Sequence, residues 1–163
     1  MMDLEYRQFK LLVFGIAFLL FVGLLAFIYL ALQRAGVPQR AEVTVKNVTV
    51  YAEPVSSPSA RAKGLAGRSY LGELDGMLFL FENPEPQLFW MKGMLMPIDL
   101  IWIRSGVVVG MIEYIEPPPS GTPDTALKIY RSPLPVDQVL EVRAGFIQKY
   151  GIEAGDSVVV KMP

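Results

Sequence analysis

The feature that most constrains this chain is a run of 22 residues, Leu11 to Leu32, that contains no charged side chain. At a rise of about 1.5 Å per residue, a helix of this length spans roughly 33 Å, which is enough to cross the hydrocarbon core of a bilayer. Lys10 bounds the run on one side, and Gln33 and Arg34 bound it on the other. The run therefore predicts a helix that crosses a membrane.

An uncleaved anchor explains this run better than two alternatives do. A core helix of this length would carry a polar face. A cleaved signal peptide would have an apolar region of about 7–15 residues followed by small residues, whereas this run ends in Tyr29 to Arg34. The sequence thus predicts an N-terminal tail, a transmembrane helix, a linker and one domain, at residues 1–10, 11–32, 33–41 and 42–163. Because the tail is short, we expect the domain to lie outside the cytoplasm.

The composition excludes several kinds of chemistry. The chain has no Cys and no His, which removes disulfides, thiolate nucleophiles, Ser–His–Asp catalysis and two-His zinc sites. It carries 15 Lys and Arg against 16 Asp and Glu, a balance without the basic footprint that nucleic acids require. It also lacks a P-loop, a G-x-S-x-G motif and a glycine-rich dinucleotide turn. We therefore expect no metal, no cofactor and no nucleic-acid partner.

Short strands with closely spaced turn signals make up the predicted domain. Alternating or continuous apolar residues predict strands, and capping residues predict two short helices. The strands are expected at 42–51 (with a bulge or tight turn at Lys46-Asn47), 77–81, 88–91, 99–103, 107–115, 127–130, 138–142 and 157–162, and the helices at 59–66 and 144–150. This order predicts an α+β fold, a mainly antiparallel, barrel-like β domain with two short helices, preceded by one transmembrane helix.

The segment from Phe89 to Asp99 is the densest cluster of side chains that could take part in binding or catalysis. Two aromatic residues, three Met, one Lys and one Asp lie within these eleven residues. One interpretation is structural: Trp90 belongs to the core, and Lys92 and Asp99 form a partly buried ion pair. The other is a pocket with an aromatic wall, adaptable Met packing and a charged pair, which suits a small ligand. Both interpretations remain open at this point.

Arg61 and Arg68 are a second pair of candidate residues. They are seven positions apart, so they share one face of a helix that reaches that far. Two guanidinium groups can clamp a carboxylate or phosphate, or they can brace neighbouring acids such as Asp75 or Glu82. The ligand-binding candidates are therefore Trp90, Lys92, Asp99, Arg61 and Arg68, and no catalytic residue is predicted.

Three stretches carry a family pattern: RAKGLAGRSYLGELDGMLFLF (61–81), FWMKGMLMPIDLIWI (89–103) and VLEVRAGFIQKYGIEAGDSVVV (139–160). They resemble the DUF192 family, also called UPF0127, whose first two patterns are R-x-x-G-L-M-x-R with G-M-L-F, and F-W-M-K-N-T with P-L-D. The chain departs from these at Ala66, which takes a Met position, and at Gly93 and Met94, which replace Asn and Thr. The loop 117–125 also lacks the Cys pair of many relatives.

The resemblance implies a mostly β domain that is commonly exported or attached to a membrane. It implies no established activity, so no catalytic residue can be carried over. If the usual Asn of the second pattern contacts a ligand, Gly93 has lost that contact.

A tethered binding module is the function that these features predict. We expect a membrane-anchored domain outside the cytoplasm that binds a small molecule or envelope component, or serves as an accessory module. One alternative is a carboxylate-dependent hydrolase of envelope polysaccharide that uses two of Asp75, Glu82 and Asp99. The other is a structural subunit whose ligand is another membrane protein. The sequence favours binding over catalysis.

Overall fold

The computed structural model describes residues 2–34 and 39–163, which belong to two separate units. The first unit is helix α1 (Met2–Arg34). Within it, Phe9–Leu30 is long and apolar enough to cross a membrane, and its described side chains are exposed. A membrane anchor and a signal sequence both fit such a helix. The predicted tail is part of α1 from Met2 onward, and residues 35–38 of the predicted linker lie outside the described residues.

Besides a 3₁₀ turn at Asp124–Ala126, the second unit contains nine strands and two short α-helices within residues 39–163. These elements, in chain order, are β1 (Ala41–Val45), β2 (Val48–Val55), α2 (Pro58–Lys63), β3 (Asp75–Glu85), β4 (Leu88–Phe89), β5 (Ile98–Arg104), β6 (Val107–Ile115), β7 (Tyr130–Arg131), β8 (Val136–Arg143), α3 (Phe146–Tyr150) and β9 (Val158–Lys161).

Seven of the strands form one curled sheet in the order β6-β5-β8-β3-β2-β1-β9, and β4 and β7 form a separate two-stranded ribbon. The pair β2 and β3 is parallel, while the other neighbours in the sheet run antiparallel. An antiparallel bridge between Val107 and Ser157 joins the two ends of the sheet. This closure confirms the predicted mainly antiparallel, barrel-like α+β fold.

The sheet has an apolar cluster on each face. The inner cluster receives side chains from all seven strands of the sheet and from α3, and centres on Val43, Val50, Leu78, Ile101 and Leu140. Because successive residues of a strand point to opposite faces, their neighbours in β3, β5 and β8 form the other group. This outer cluster includes Phe79, Leu100, Trp102, Val139 and, from the segment after β4, Met91.

Several predicted elements differ from the structure in their limits. The predicted strand 42–51 is a hairpin, β1 and β2, that turns at Lys46, whose φ of +57° lies in the left-handed region. The predicted helix 59–66 ends early at Lys63, because Gly64 leaves the helical conformation. The predicted strand 88–91 has only the two residues of β4. These limits depend on backbone conformations that apolar patterning does not specify.

Candidate functional site

A cavity of about 260 Å³ lies on the outer face of the sheet, beside the outer cluster. The last turn of α2 forms one side, and the segment from Leu88 to Lys92 forms another. Phe79 and Phe81 on β3 and Glu141 on β8 complete it. Exposed side chains at Lys63, Trp90 and Lys92 place the mouth of the cavity at the protein surface.

The sequence around α2 explains how this helix end comes to border the cavity. The Oγ of Ser57 accepts a hydrogen bond from the Ala60 N–H at 3.3 Å and so caps the start of the helix. Gly64 ends it with φ +51° and ψ −138°, a conformation that favours glycine. A Cβ built on Gly64 would lie 3.5 Å from Phe79 Cζ and 3.8 Å from Glu141 Oε2. The backbone at Gly64 therefore runs directly against Phe79 and Glu141.

Glu141 is the most unusual residue of the cavity. It lies on β8 between β3 and β5, opposite Met77 and Leu100. The residue is only 5% exposed, and its Oε2 has no hydrogen-bond partner among the described residues. Burial raises the pKa of the Glu141 carboxyl to about 8, because an apolar environment disfavours the charged form. At neutral pH the cavity thus contains an uncharged carboxyl group that lacks a partner for one oxygen.

Another buried side-chain oxygen, Gln138 Oε1, also lacks a partner within residues 39–163. Gln138 does not line the cavity. The combination of an unpartnered buried oxygen with open space beside it is therefore a property of Glu141.

Aromatic rings form the apolar wall of the cavity. The Phe79 and Phe89 rings meet edge to face with centroids 4.9 Å apart, and Phe89 meets the buried Trp102 in the same way at 5.4 Å. Edge-to-face contacts of this kind fix ring positions and stabilise the cluster beyond simple burial. The lining rings of Phe79 and Phe89 therefore pack on each other and on Trp102 behind them.

Three cationic side chains line the cavity. The Arg61 guanidinium lies 4.9 Å from the centre of the Phe81 ring and donates a hydrogen bond to the Leu80 carbonyl at 3.0 Å. Lys92 donates to the Asp124 carboxylate from an exposed position. Lys63 is exposed, at the end of α2. Cationic side chains therefore lie on both sides of the rim, on α2 and in the segment after β4.

The structure brings three of the five predicted site residues to one cavity. Arg61, Trp90 and Lys92 all line it. Trp90 is 48% exposed, whereas Trp102 is the buried tryptophan at 1%. The interpretation of Trp90 as a core residue is therefore wrong: Trp90 lies just after β4 with its side chain half-exposed, and the next residue, Met91, is the buried one.

Asp99 has a different environment. It is fully buried, and its two carboxylate oxygens accept hydrogen bonds from the Tyr114 N–H at 2.8 Å and the Ile147 N–H at 2.9 Å. The predicted ion pair between Lys92 and Asp99 is wrong, since Lys92 pairs with Asp124. Asp99 does not line the Glu141 cavity, and its role in ligand binding stays a prediction.

Arg68 also lies away from the cavity lining. Its guanidinium donates two hydrogen bonds to Glu53, at 2.7 and 2.6 Å. This pairing lowers the pKa of Glu53 and raises the pKa of Arg68. Because α2 ends at Lys63, Arg61 and Arg68 do not share a helix face. Arg68 braces an acid as one interpretation proposed, but that acid is Glu53, and a ligand contact by Arg68 stays a prediction.

Sequence reasoning missed Glu141. The signal was present in the stretch Val139-Leu140-Glu141-Val142, where one acid interrupts an apolar strand of the kind that is buried on both faces. Within the parts of the chain that the structure describes, no group of three or more His, Cys, Asp or Glu side chains is placed to hold a metal ion. The chemistry of the site therefore rests on the carboxyl groups of Glu141 and Glu85, the aromatic rings and the cations.

The fold and this site define a small, mainly antiparallel, barrel-like β domain with a cavity on the outer face of its sheet. The family model for DUF192, described as an uncharacterised family ("Uncharacterized ACR"), matches residues 41–160. The chain therefore belongs to the DUF192 family. No curated protein matches it.

Two solved structures share the fold. One, from Sinorhizobium meliloti 1021, is described as a "putative transcription regulator"; it is 30% identical, with a TM-score of 0.66, and the match covers 76% of this chain and 96% of that one. The other, a protein of unknown function from Novosphingobium aromaticivorans DSM 12444, is 28% identical, with a TM-score of 0.65 and coverage of 72% and 83%.

Proposed function

We propose that this DUF192 domain is a small-ligand-binding module and that its ligand occupies the Glu141 cavity. The observation that carries the proposal is the unpartnered oxygen of Glu141 beside open space. A buried polar group without a hydrogen bond costs roughly 1–3 kcal/mol, and native proteins contain few such groups. A ligand that bonds to this carboxyl removes that cost.

The dimensions of the cavity favour a ligand of modest size. Its volume of about 260 Å³ is just below the roughly 300–1,000 Å³ of sites for drug-sized molecules. A cavity of about 150 Å³ is enough for one benzene molecule. The Glu141 cavity therefore suits one ring, or an apolar chain of similar bulk, with a few additional atoms.

The anchor gives this module its location in the proposal. The apolar segment of α1, Phe9–Leu30, supports tethering to the membrane because it is long enough to span a bilayer. The proposal keeps the domain outside the cytoplasm, as the sequence analysis predicts. The ligand is then a molecule of the cell envelope or the surroundings.

The Glu141 cavity gives no support to the hydrolase alternative. None of its three candidate carboxylates, those of Asp75, Glu82 and Asp99, lines the Glu141 cavity. Asp75 pairs with Arg40, and Asp99 is bonded to two backbone amides.

Ligand-observed NMR tests the binding module. The full chain, in nanodiscs, is screened against a panel of fragment-sized carboxylates, phenols, amides and amines. Ala62 is exposed on α2 and lines the cavity, so Ala62→Trp obstructs it. Ser59 is exposed on the same helix but does not line the cavity, and Ser59→Trp is the matched control.

We expect at least one fragment to give a saturation-transfer signal with the wild-type chain and with Ser59→Trp, and to lose that signal with Ala62→Trp. Absence of any binder, or equal signals with all three chains, would contradict the proposal.

A reporter fused to Pro163 tests the location. The reporter is one that is active only outside the cytoplasm, and a blot checks that the fusion remains in the membrane fraction at full length. Activity in a full-length membrane protein is the expected result. A shortened, soluble product would identify α1 as a signal sequence, and an inactive full-length fusion would place the domain in the cytoplasm.

A further inference from the structure

We infer that the ligand of the Glu141 cavity is a small amphipathic anion, with a hydrogen-bonding oxygen at its inner end, an aromatic or apolar body, and an anionic group at the mouth. This inference rests on the proposed binding function and specifies the chemistry of the ligand.

The inner end of the ligand must satisfy Glu141. Its Oε2 is unpartnered among the described residues and lies beside the Gly64 backbone. An uncharged carboxyl group both donates and accepts a hydrogen bond, and burial favours that uncharged form here by raising the pKa of Glu141. A hydroxyl or carbonyl oxygen therefore complements Glu141 without moving a charge into the protein.

The middle of the cavity favours an apolar body. Phe79, Phe81 and Phe89 line it together with Met94. Phe79 and Phe89 are held edge to face, so the wall is formed before a ligand arrives. A flat ring or a compact apolar group would remove the surface of these side chains from water, with little loss of side-chain conformational entropy.

The mouth of the cavity favours an anion. The charged and titratable groups that face it are Arg61 and Lys63 from α2, Lys92 from the segment after β4, Glu85 from β3 and Glu141 from β8. Arg61, Lys63 and Lys92 are cations, Glu85 opposes one of their charges, and Glu141 is uncharged at neutral pH.

Asp124 and Glu85 reduce the positive charge around the cavity but do not cancel it. Asp124 offsets the charge of Lys92. Arg61 donates to backbone carbonyls, which leave its charge uncompensated. Among the described residues, Lys63 forms no ion pair. A cationic ligand would be repelled by these groups, and it would have a charged partner in Glu141 only if Glu141 lost its proton. An anion instead meets a surface of opposite charge.

Three similar probes test whether the cavity prefers an anionic, a cationic or a neutral ligand. All three contain a phenol: 4-hydroxyphenylacetate ends in an anion, tyramine in a cation and tyrosol in a neutral hydroxyl. Their affinities are measured by NMR titration of the full chain in nanodiscs of zwitterionic lipid. We expect 4-hydroxyphenylacetate to bind at least about tenfold more tightly than tyramine, with tyrosol between them.

Two variants test whether Lys63 and Glu141 cause the preference for the anionic probe. Lys63→Gln should weaken 4-hydroxyphenylacetate by about threefold to tenfold and leave tyrosol unchanged, because only the former has a charge to pair. Glu141→Gln keeps a hydrogen-bonding group of the same shape. Because an amide does not ionise, this variant should abolish the fall in 4-hydroxyphenylacetate affinity that we expect in the wild type as Glu141 ionises around pH 8, measured as the ratio of the affinities below and above that pH.

The outcomes distinguish the two levels of the proposal. Tighter binding of tyramine, or an unchanged preference in Lys63→Gln, would overturn the anionic ligand class while the binding module stands. If none of the probes binds while another fragment of the panel does, the ligand class is likewise overturned and the module stands. If Ala62→Trp binds the probes as the wild type does, the binding module itself is overturned.

Discussion

Two carboxylic acids are buried on opposite faces of the same sheet, and their surroundings differ in one decisive respect. Asp99, in β5, lies on the same face as Ile101 and Ile103 of the inner cluster, and backbone amides of Tyr114 and Ile147 donate to its two oxygens. Glu141, in β8, faces the outer cluster, and its Oε2 has no partner within the described residues. Both are at most 5% exposed.

The difference separates a structural acid from a candidate functional one. Asp99 connects β5 to the end of β6 and to the first turn of α3, so its burial is compensated by hydrogen bonds that hold the barrel together. Glu141 has a destabilising environment that the fold does not compensate, next to a cavity. Uncompensated polar groups of this kind are expected at functional sites rather than in a core.

The largest effect that tests this comparison is the pH dependence of stability due to Glu141. Its pKa is about 8 in the folded protein against an ordinary 4.5, so the folded state retains the proton more strongly than the unfolded state. The Glu141 contribution to the free energy of unfolding should therefore fall as pH rises from 4.5 to 8, by an amount on the order of 4–5 kcal/mol.

Glu141→Gln removes this dependence, and urea unfolding followed by circular dichroism at pH 5, 6, 7 and 8 measures it. The free energy of unfolding of Glu141→Gln, minus that of the wild type, should increase as pH rises. The lowered pKa of Glu53 acts in the opposite direction, but in both chains alike. Parallel stability curves for the two chains would show that Glu141 is not buried as described.

The second effect compares the two tryptophans. Trp102 is fully buried in the outer cluster and Trp90 is half-exposed. Trp102→Ala should lower the free energy of unfolding by about 3–5 kcal/mol, since it leaves a large void. Trp90→Ala should cost about 1 kcal/mol or less. Chemical denaturation of both variants provides the measurement, and losses of equal size would mean that the outer cluster is not a packed core beside the cavity.

The third effect tests the structural role of Asp99. Asp99→Ala leaves the Tyr114 and Ile147 amides without their acceptors and should destabilise the protein by about 3 kcal/mol. Asp137 is a matched control, because its carboxylate accepts from the Ser105 N–H in an exposed hydrogen bond. Asp137→Ala should cost about 1 kcal/mol or less. The assignment fails if thermal or urea unfolding gives the same loss for both.

The smallest effect concerns the pair of Arg68 and Glu53. Its side chains are partly exposed, at 37% and 23%, so a double-mutant cycle at pH 7 should give a coupling of only about 0.5–1 kcal/mol. The pKa of Glu53 is lowered in the folded protein, so this contribution is present above pH 4.5 and is lost as pH falls through the folded-state pKa. A coupling that persists after Glu53 is protonated would contradict the ionic account.

Much of the fold could be predicted because it depends on local patterns. Alternating apolar residues predicted the strands around Val43 and Val50, and the Gly106 turn predicted the hairpin of β5 and β6, which the structure confirms. The parallel pairing of β2 with β3 and the closure at Val107 and Ser157 join residues far apart in the sequence. No local pattern specifies such pairings.

The candidate site was predictable only in part, for a similar reason. The chemical density of the Phe89–Asp99 segment pointed to the correct region, and Trp90 and Lys92 do line the cavity. The partners of Asp99 and Arg68 lie 15 to 48 positions away in the sequence, so their roles depend on which elements meet in the folded barrel.

The sequence by itself determined that this chain has an apolar N-terminal helix, a β domain of the DUF192 family, and no His or Cys for chemistry. These follow from composition and from patterns of short range. Only the tertiary structure decided the state of Glu141. The pKa of Glu141 and the lack of a partner for its Oε2 arise because β3, β5 and the end of α2 surround this one position of β8. A carboxyl group responds to the groups around it in space rather than to its neighbours in sequence.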